Sequence, residues 1–271
     1  MKFVRYIDCH SHLHFSQFDA DRAGIIAAME REGIATITVG TNLQTSREAL
    51  ALAEQYPHLF ATVGMHPTEA AGRFDATAYE ELVREKVVGV GECGLDYYRI
   101  KKDESGAKQT QGAVFKQQIE FALKHDLPLM IHARPTAGSM GAYKDVLDIL
   151  GSYSASHHAT LHGNVHFFAG NKEMAEGFLE LGFTLSFDGP ITFARDYDDV
   201  IRFVPRDMLL AETDAPFAAP EPYRGTRNSP FYVKEVVRAL AKIRGEDEDT
   251  IRCATVENTL RVFPRLAAML R

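Results

Sequence analysis

The sequence predicts a (β/α)8 TIM barrel of the metal-dependent hydrolase type, from three observations. Eight short runs rich in β-branched or aromatic residues lie near 3–8, 36–40, 60–64, 87–92, 128–132, 160–166, 183–187 and 208–212. Stretches of helical periodicity separate them, near 20–32, 44–56, 75–86, 109–126, 141–151, 172–181 and 196–203. Strands alternating with helices pair in parallel, and eight such units close a barrel. Third, six candidate metal ligands, His10, His12, Glu92, His132, His166 and Asp214, stand nearly all at the ends of these runs. Ligands spread from His10 to Asp214 cannot form a local finger. They meet only if the fold gathers the strand ends at one rim, which points to a hydrolase built around metal ions.

A chain of 271 residues can bury a large core and suits one domain spanning 1–271. Its formal net charge of -7 argues against a whole-surface affinity for nucleic acid but leaves room for a local cationic groove. Cys9, Cys93 and Cys253 have no paired spacing, so a disulfide framework is not expected and a reducing, cytoplasmic compartment fits. A strand-like run starts almost at once, without the cationic and apolar regions of a signal peptide, and no apolar run approaches membrane-spanning length.

The elements have local causes. After the first strand, His10 and His12 lie two apart, so extended backbone turns both to one face, and Asp8 can orient an imidazole. Alone, such a pair is as often a surface feature. Thr77 and Glu80 have capping-box spacing for the third helix. Glu92 ends Val87-Val88-Gly89-Val90-Gly91; a carboxylate there reads as functional in a barrel, and its two oxygens can bridge two cations. Asp96 is either a support for a ligand or a turn former. The polar stretch 99–108 reads as an exposed loop, either merely solvated or, since it follows a ligand-bearing strand, bordering the site. His132 ends Leu129-Met130-Ile131, with Arg134 two residues on; a buried structural histidine is the competing reading. Residues 151–159, with His157-His158, read as a solvated turn. In the sixth strand His162 and His166 share a face; His166, nearer the end, is preferred, and His162 is left as a barrel-interior or structural residue. Asp214 ends the eighth strand, where it can ligate a metal and take a proton from water. Glu212 shares its face. Helices are expected at 229–244 and 247–260: Ser229-Pro230 starts the first, Gly245 ends it, and Asp247, Glu248 and Asp249 suit the start of the second. Cys9 and Cys93 read as packing residues. His14, His58, His125, His157 and His158 read as surface residues.

These segments resemble the TatD family of metal-dependent hydrolases and deoxyribonucleases, within the amidohydrolase-like barrels. The matching stretches are Ile7-Asp8-Cys9-His10-Ser11-His12-Leu13, Gly64-Met65-His66-Pro67, Gly91-Glu92-Cys93-Gly94-Leu95-Asp96-Tyr97-Tyr98 and Ile131-His132-Ala133-Arg134. His166-Phe167-Phe168-Ala169-Gly170, Gly189-Pro190-Ile191-Thr192-Phe193, Glu212-Thr213-Asp214-Ala215-Pro216-Phe217 and the run Arg224 to Pro230 complete them, in family order over nearly the whole chain. The resemblance implies two adjacent divalent ions (Zn, Mn, Mg, Ni or Fe). His10, His12 and Asp214 match ligands of one, His132 and His166 ligands of the other, and Glu92 the bridge. His66 and Arg227 match positions that face substrate. Arg134 and Arg224 are weaker candidates for holding phosphates, and an ordinary surface salt bridge is the competing reading for Arg224 and Arg227. His14 and Pro135 stand where the family often has Asp.

The expected reaction is hydrolysis of DNA phosphodiesters, in single strands or at 3′ ends, with catalysis by Asp214 and Glu92 and phosphates held by the arginines. Hydrolysis of another ester or amide, such as an aminoacyl ester on tRNA, is the alternative, and a non-catalytic nucleic-acid-binding barrel is a third reading. Neither a membrane nor an obligate protein partner is expected.

Overall fold

The computed structural model describes residues 4–70, 73–101, 106–157 and 160–270, with the backbone alone for 154–157. Eight strands pair in parallel in chain order: β1 (Tyr6–Ser11), β2 (Ile34–Val39), β3 (Leu59–Val63), β4 (Val87–Asp96), β5 (Leu129–Arg134), β6 (Gly163–Val165), β7 (Thr184–Phe187) and β8 (Leu209–Ala211). The helices between them are α1 (Arg22–Glu32), α2 (Leu43–Ala53), α3 (Ala76–Glu80), α4 (Ala107–His125), α5 (Gly141–His157), α6 (Lys172–Glu180) and α7 (Asp198–Phe203). After β8 come α8 (Val233–Arg244), α9 (Glu248–Val262) and α10 (Pro264–Leu270). The ring meets itself just beyond β8, through a parallel bridge between Ser11 and Ala215. There the Asp214 N–H donates to the His10 carbonyl at 2.9 Å and the His12 N–H to the Ala215 carbonyl at 2.7 Å.

The core has two layers. Between sheet and helices pack large side chains such as Tyr79, Phe115, Phe178 and Leu240. Inside the barrel Ile7, Cys9, Ile37, Phe60, Met130 and Leu210 join Val262, Phe263 and Leu266 from the last two helices. Those helices close the end of the barrel where the strands begin: Phe263 lies against Gly89, and Arg265 bonds the carbonyls of Val87 and His125.

Register shifts aim the functional strands. Ile7 and Cys9 both face the interior cluster, so strict alternation would send His10 outward. The pairing of β1 with β2 shifts between Asp8 and Ser11, which turns His10 to the mouth. β4 shifts against β3 between Val87 and Gly89, and against β5 between Val90 and Cys93, the interval that holds Glu92. Close backbone approach makes this possible. A Cβ on Gly94, whose φ is +129°, would sit 2.1 Å from the His132 carbonyl oxygen. One on Gly64 would meet Gly91 backbone at 2.6 Å.

Several sequence expectations change. Asp75, not Thr77, caps α3: its carboxylate accepts the Ala78 N–H. α5 continues through the expected turn at 151–157, and the side chain of His157 and all of His158 lie outside the described residues. Of the loop 99–108, residues 102–105 also lie outside them, and α4 starts at Ala107. β6 is short, so His162 precedes it, half-buried, with its ring bonded to the Thr160 carbonyl rather than inside the barrel. His14 and His58 are buried, not surface residues. α10 was not expected. Ser229 caps a 3-10 turn, Pro230–Tyr232, that leads into α8; Gly245 ends α8 at φ 67°, and Asp247 caps α9.

Candidate metal centre

All six expected ligands meet at the mouth where the strands end. Glu92 is the centre. One carboxylate oxygen, Oε2, lies 3.7 Å from Nε2 of both His10 and His12. The other, Oε1, lies 2.8 Å from His132 Nδ1, 2.9 Å from His166 Nε2 and 3.5 Å from His66 Nε2. Asp214 Oδ1 completes the first group, 3.3 Å from His12 Nε2 and 3.7 Å from His10 Nε2. A tetrahedral ion with metal–nitrogen bonds of about 2.0–2.1 Å needs donor atoms about 3.3–3.4 Å apart. The observed separations bracket that edge. Three overlapping groups, His10/His166/Asp214, His10/His12/Glu92 and His66/Glu92/His132, each have donor atoms within 4.8 Å of one another. Buried imidazoles and carboxylates without an ammonium or guanidinium among them suit borderline divalent ions.

The groups behind the cluster orient it. His12 donates its Nδ1 proton to the Val39 carbonyl at 2.7 Å, so Nε2 is free to bind. His132 Nε2 faces Asp96 Oδ2 at 3.2 Å, leaving Nδ1 toward Glu92. Glu212 Oε1 lies 3.6 Å from His166 Nδ1, accepts the Phe167 N–H at 2.6 Å, and its Oε2 accepts the Ser186 hydroxyl at 2.6 Å. His10 stacks on His166 at 3.9 Å between centroids, and its Nδ1 has no partner among the described residues. Among the described residues Asp8 orients no imidazole. It accepts the Thr213 N–H and hydroxyl and the Thr36 hydroxyl, tying β1 to β2 and to the segment carrying Asp214.

His66 differs from the rest. The Thr68 N–H points at its Nδ1 at 3.2 Å, which makes Nδ1 an acceptor and places the proton of the neutral ring on Nε2. Burial pushes this imidazole down to about 3, so it is neutral and presents an N–H donor to the cluster. Around it charge is dense. Burial opposes ionisation of Glu92, yet the imidazoles of His66 and His166 and hydrogen bonds from His132 and His166 hold its carboxyl well below the usual range. Burial likewise disfavours protonated His166, but Glu92 and Glu212 raise it well above the ordinary histidine value. His10 is pushed well down by burial and by His166. Asp214 sits at φ 53°, a left-handed conformation rare outside glycine, and buried Asn228 braces its loop through the carbonyls of Thr213 and Phe217.

The cluster floors a cavity of about 560 Å³. Arg134 lines it, with its guanidinium 4.1 Å from the Tyr98 ring. Arg99, passed over in the sequence as part of a polar loop, also lines it and pairs with Asp96 at 3.4 Å. The other two expected arginines are engaged elsewhere. Arg224 lies over the Phe193 ring at 3.8 Å. Arg227 grips Asp21 at 2.6 Å and donates to the Gln17 carbonyl, linking the segment after β8 to the one after β1. Sequence reasoning also missed Asp188, although it follows β7 just as Asp214 follows β8. It is buried, its Oδ2 has no partner among the described residues, and burial with nearby Glu212 and Asp214 raises its carboxyl well above the usual range. Cys9 donates weakly to Glu212, and Cys93 to the carbonyls of Val90 and Met130; both are buried, as packing residues would be.

Comparison with known proteins places these features. Residues 7–264 match the family model described as TatD related DNase. A metal-dependent hydrolase of Bacillus subtilis, YabD, is 36% identical over 262 residues, covering 94% of this chain and 98% of its own length. The 3'-5' ssDNA/RNA exonuclease TatD of Pectobacterium parmentieri is 30% identical over 272 residues, covering 96% of this chain and 99% of the relative. The crystal structure of YJJV, a TatD homolog from Escherichia coli K12, superposes with a TM-score of 0.83 at 29% identity, covering 96% of this chain and 98% of the other.

Proposed function

Since the chain belongs to the TatD related DNase family of metal-dependent hydrolases, we propose that it is a 3′-5′ exonuclease on single-stranded DNA or RNA, working from one barrel with two divalent ions. The observation that carries this reading is the division of Glu92, whose two oxygens face two separate sets of nitrogen ligands. His10, His12 and Asp214 would hold one ion and His132 and His166 the other, with Glu92 shared. When bound, the ions polarise a phosphoryl oxygen and lower the pKa of the attacking water. Asp214, at the cavity wall, takes the proton that this water loses. His66 donates its Nε2 proton in a hydrogen bond to a phosphoryl oxygen and keeps the ground-state charge balance unchanged, being neutral. Arg134 and Arg99 hold flanking phosphates at the cavity wall. The burial of Cys9 and Cys93 as free thiols fits a reducing cytoplasm, and no described helix is long and apolar enough to cross a membrane.

The test is a hydrolysis panel on one metal-reconstituted sample: single-stranded DNA, duplex DNA, RNA, aminoacyl-tRNA and small esters, with oligonucleotides labelled at either end. Mononucleotides released stepwise from the 3′ end of single strands support the reading. Turnover of aminoacyl-tRNA or simple esters with intact oligonucleotides would replace it by the deacylase alternative.

A further inference from the structure

Three large hydrophobic side chains are exposed among the described residues: Tyr98 at 56%, Phe217 at 47% and Phe203 at 41%. Phe203 ends an outer helix. The other two flank the metal cavity. Tyr98 follows β4 and Phe217 follows β8, and in a ring of eight strands in chain order those positions are opposite each other. Phe217 lines the cavity, and Tyr98 stacks on Arg134, which lines it too. The neighbouring Tyr97 shows the contrast: it is buried, with its hydroxyl donating to Asp145 at 2.6 Å.

An aromatic ring left in water at the mouth of a polar site gains only when something flat covers it. Edge-on contacts with His12 and Phe15, at 6.0 and 6.4 Å between centroids, fix the tilt of Phe217 without burying it. Arg134 fixes Tyr98 in the same way. Beside Tyr98, Arg99 and Arg134 offer positive charge for a phosphate. Phe217 touches the cluster through His12, and Tyr98 reaches it from the opposite strand through Arg134, two residues beyond His132.

We propose that Tyr98 and Phe217 are two stacking platforms for unpaired bases, one on each side of the phosphodiester held at the metal cluster. The proposal rests on the nuclease reading and adds the source of its strand preference. A duplex keeps its base faces inside its own stack, so only an unpaired end can cover both rings. Every base has a π-face, so the preference is for single strands and is indifferent to sequence.

The test uses metal-reconstituted protein and single-stranded oligonucleotides in which one base near the 3′ end is replaced by an abasic sugar. In the wild type, loss of a stacked base lowers kcat/KM by roughly 5- to 150-fold. Tyr98→Ala and Phe217→Ala each become insensitive to one abasic position, while Tyr98→Phe and Phe217→Tyr keep the wild-type ratio. A purely structural role for either ring would slow intact and abasic substrates alike and leave that ratio unchanged, which would overturn the proposal. So would a wild type indifferent to both abasic positions. Wild-type protein that cleaves another ester but no oligonucleotide overturns the nuclease reading itself, and this proposal with it.

Discussion

Asp214 is held in a left-handed backbone conformation with its carboxylate against His10 and His12, and its loop is braced by Asn228. Asn at this position keeps the shape and tolerates the same backbone, but it cannot accept a proton and binds a cation poorly. Asp214→Asn is expected to lower kcat by about 10²–10⁴-fold with an unchanged circular dichroism spectrum; near-normal turnover would remove Asp214 as the base. The arginines divide by whether they line the cavity, as Arg99 and Arg134 do. Arg227 is committed to Asp21 and the Gln17 carbonyl, so Arg227→Ala should lower the melting midpoint and leave the salt dependence of single-strand binding unchanged. Arg134→Ala and Arg99→Ala should instead each reduce the slope of log K against log salt by about 0.7, one phosphate contact on a single strand. A reduced slope for Arg227→Ala would return that residue to the substrate.

At the scale of elements, β4 carries the most constraint. Gly94 lies with φ at +129° and its Cα hydrogen against the His132 carbonyl. Gly94→Ala is therefore expected to cost roughly 1–3 kcal/mol from backbone strain alone, measured as a lower denaturant midpoint, and to weaken metal retention by displacing Glu92 or His132. The eight strands were legible because short β-branched runs recur between helical stretches, and the ligands because imidazoles and carboxylates end those runs. What was not legible is where alternation breaks. Ile7 and Cys9 face inward, and nothing in the residue types announces the register shift that brings His10 in with them. Asp188 escaped for a different reason: it is the same signal as Asp214, but it stands before a Gly-Pro turn and reads as a turn former. The destination of Arg227 was invisible because Asp21 lies some two hundred residues earlier, and a charge does not name its partner.

For the molecule as a whole, the barrel is closed at one end by the last two helices and open at the other to the ligands. Divalent ions that bind the folded cluster and not the unfolded chain stabilise the whole fold, so metal at 100 times its Kd should add about 2.7 kcal/mol for each site filled. A chelator should reverse the rise in melting midpoint. Acid sensitivity has a source far from this site. His58, just before β3, is buried, and burial lowers its pKa below the ordinary histidine value of about 6.5, outweighing the opposing pull of Glu30 and of the Ile26 backbone. Above that pH it is neutral whether folded or not. As pH falls below 6.5 the unfolded chain takes up a proton that the folded one refuses, so stability is lost downward until the folded pKa is reached. His58→Gln should show a smaller loss of unfolding free energy between pH 7.5 and pH 5 than the wild type; equal losses would mean that His58 is protonated in the fold.

The seam at Ser11 and Ala215 also sets a clock on a chain made from its N-terminus. His66, Glu92, His132 and His166 come from adjacent strands β3 to β6 and can gather once the middle of the chain has emerged. His10 and His12 must wait for Asp214, which arrives with the last strand. One half of the cluster is therefore complete in the chain well before the other. A nascent chain therefore carries an incomplete set of ligands until the ring shuts.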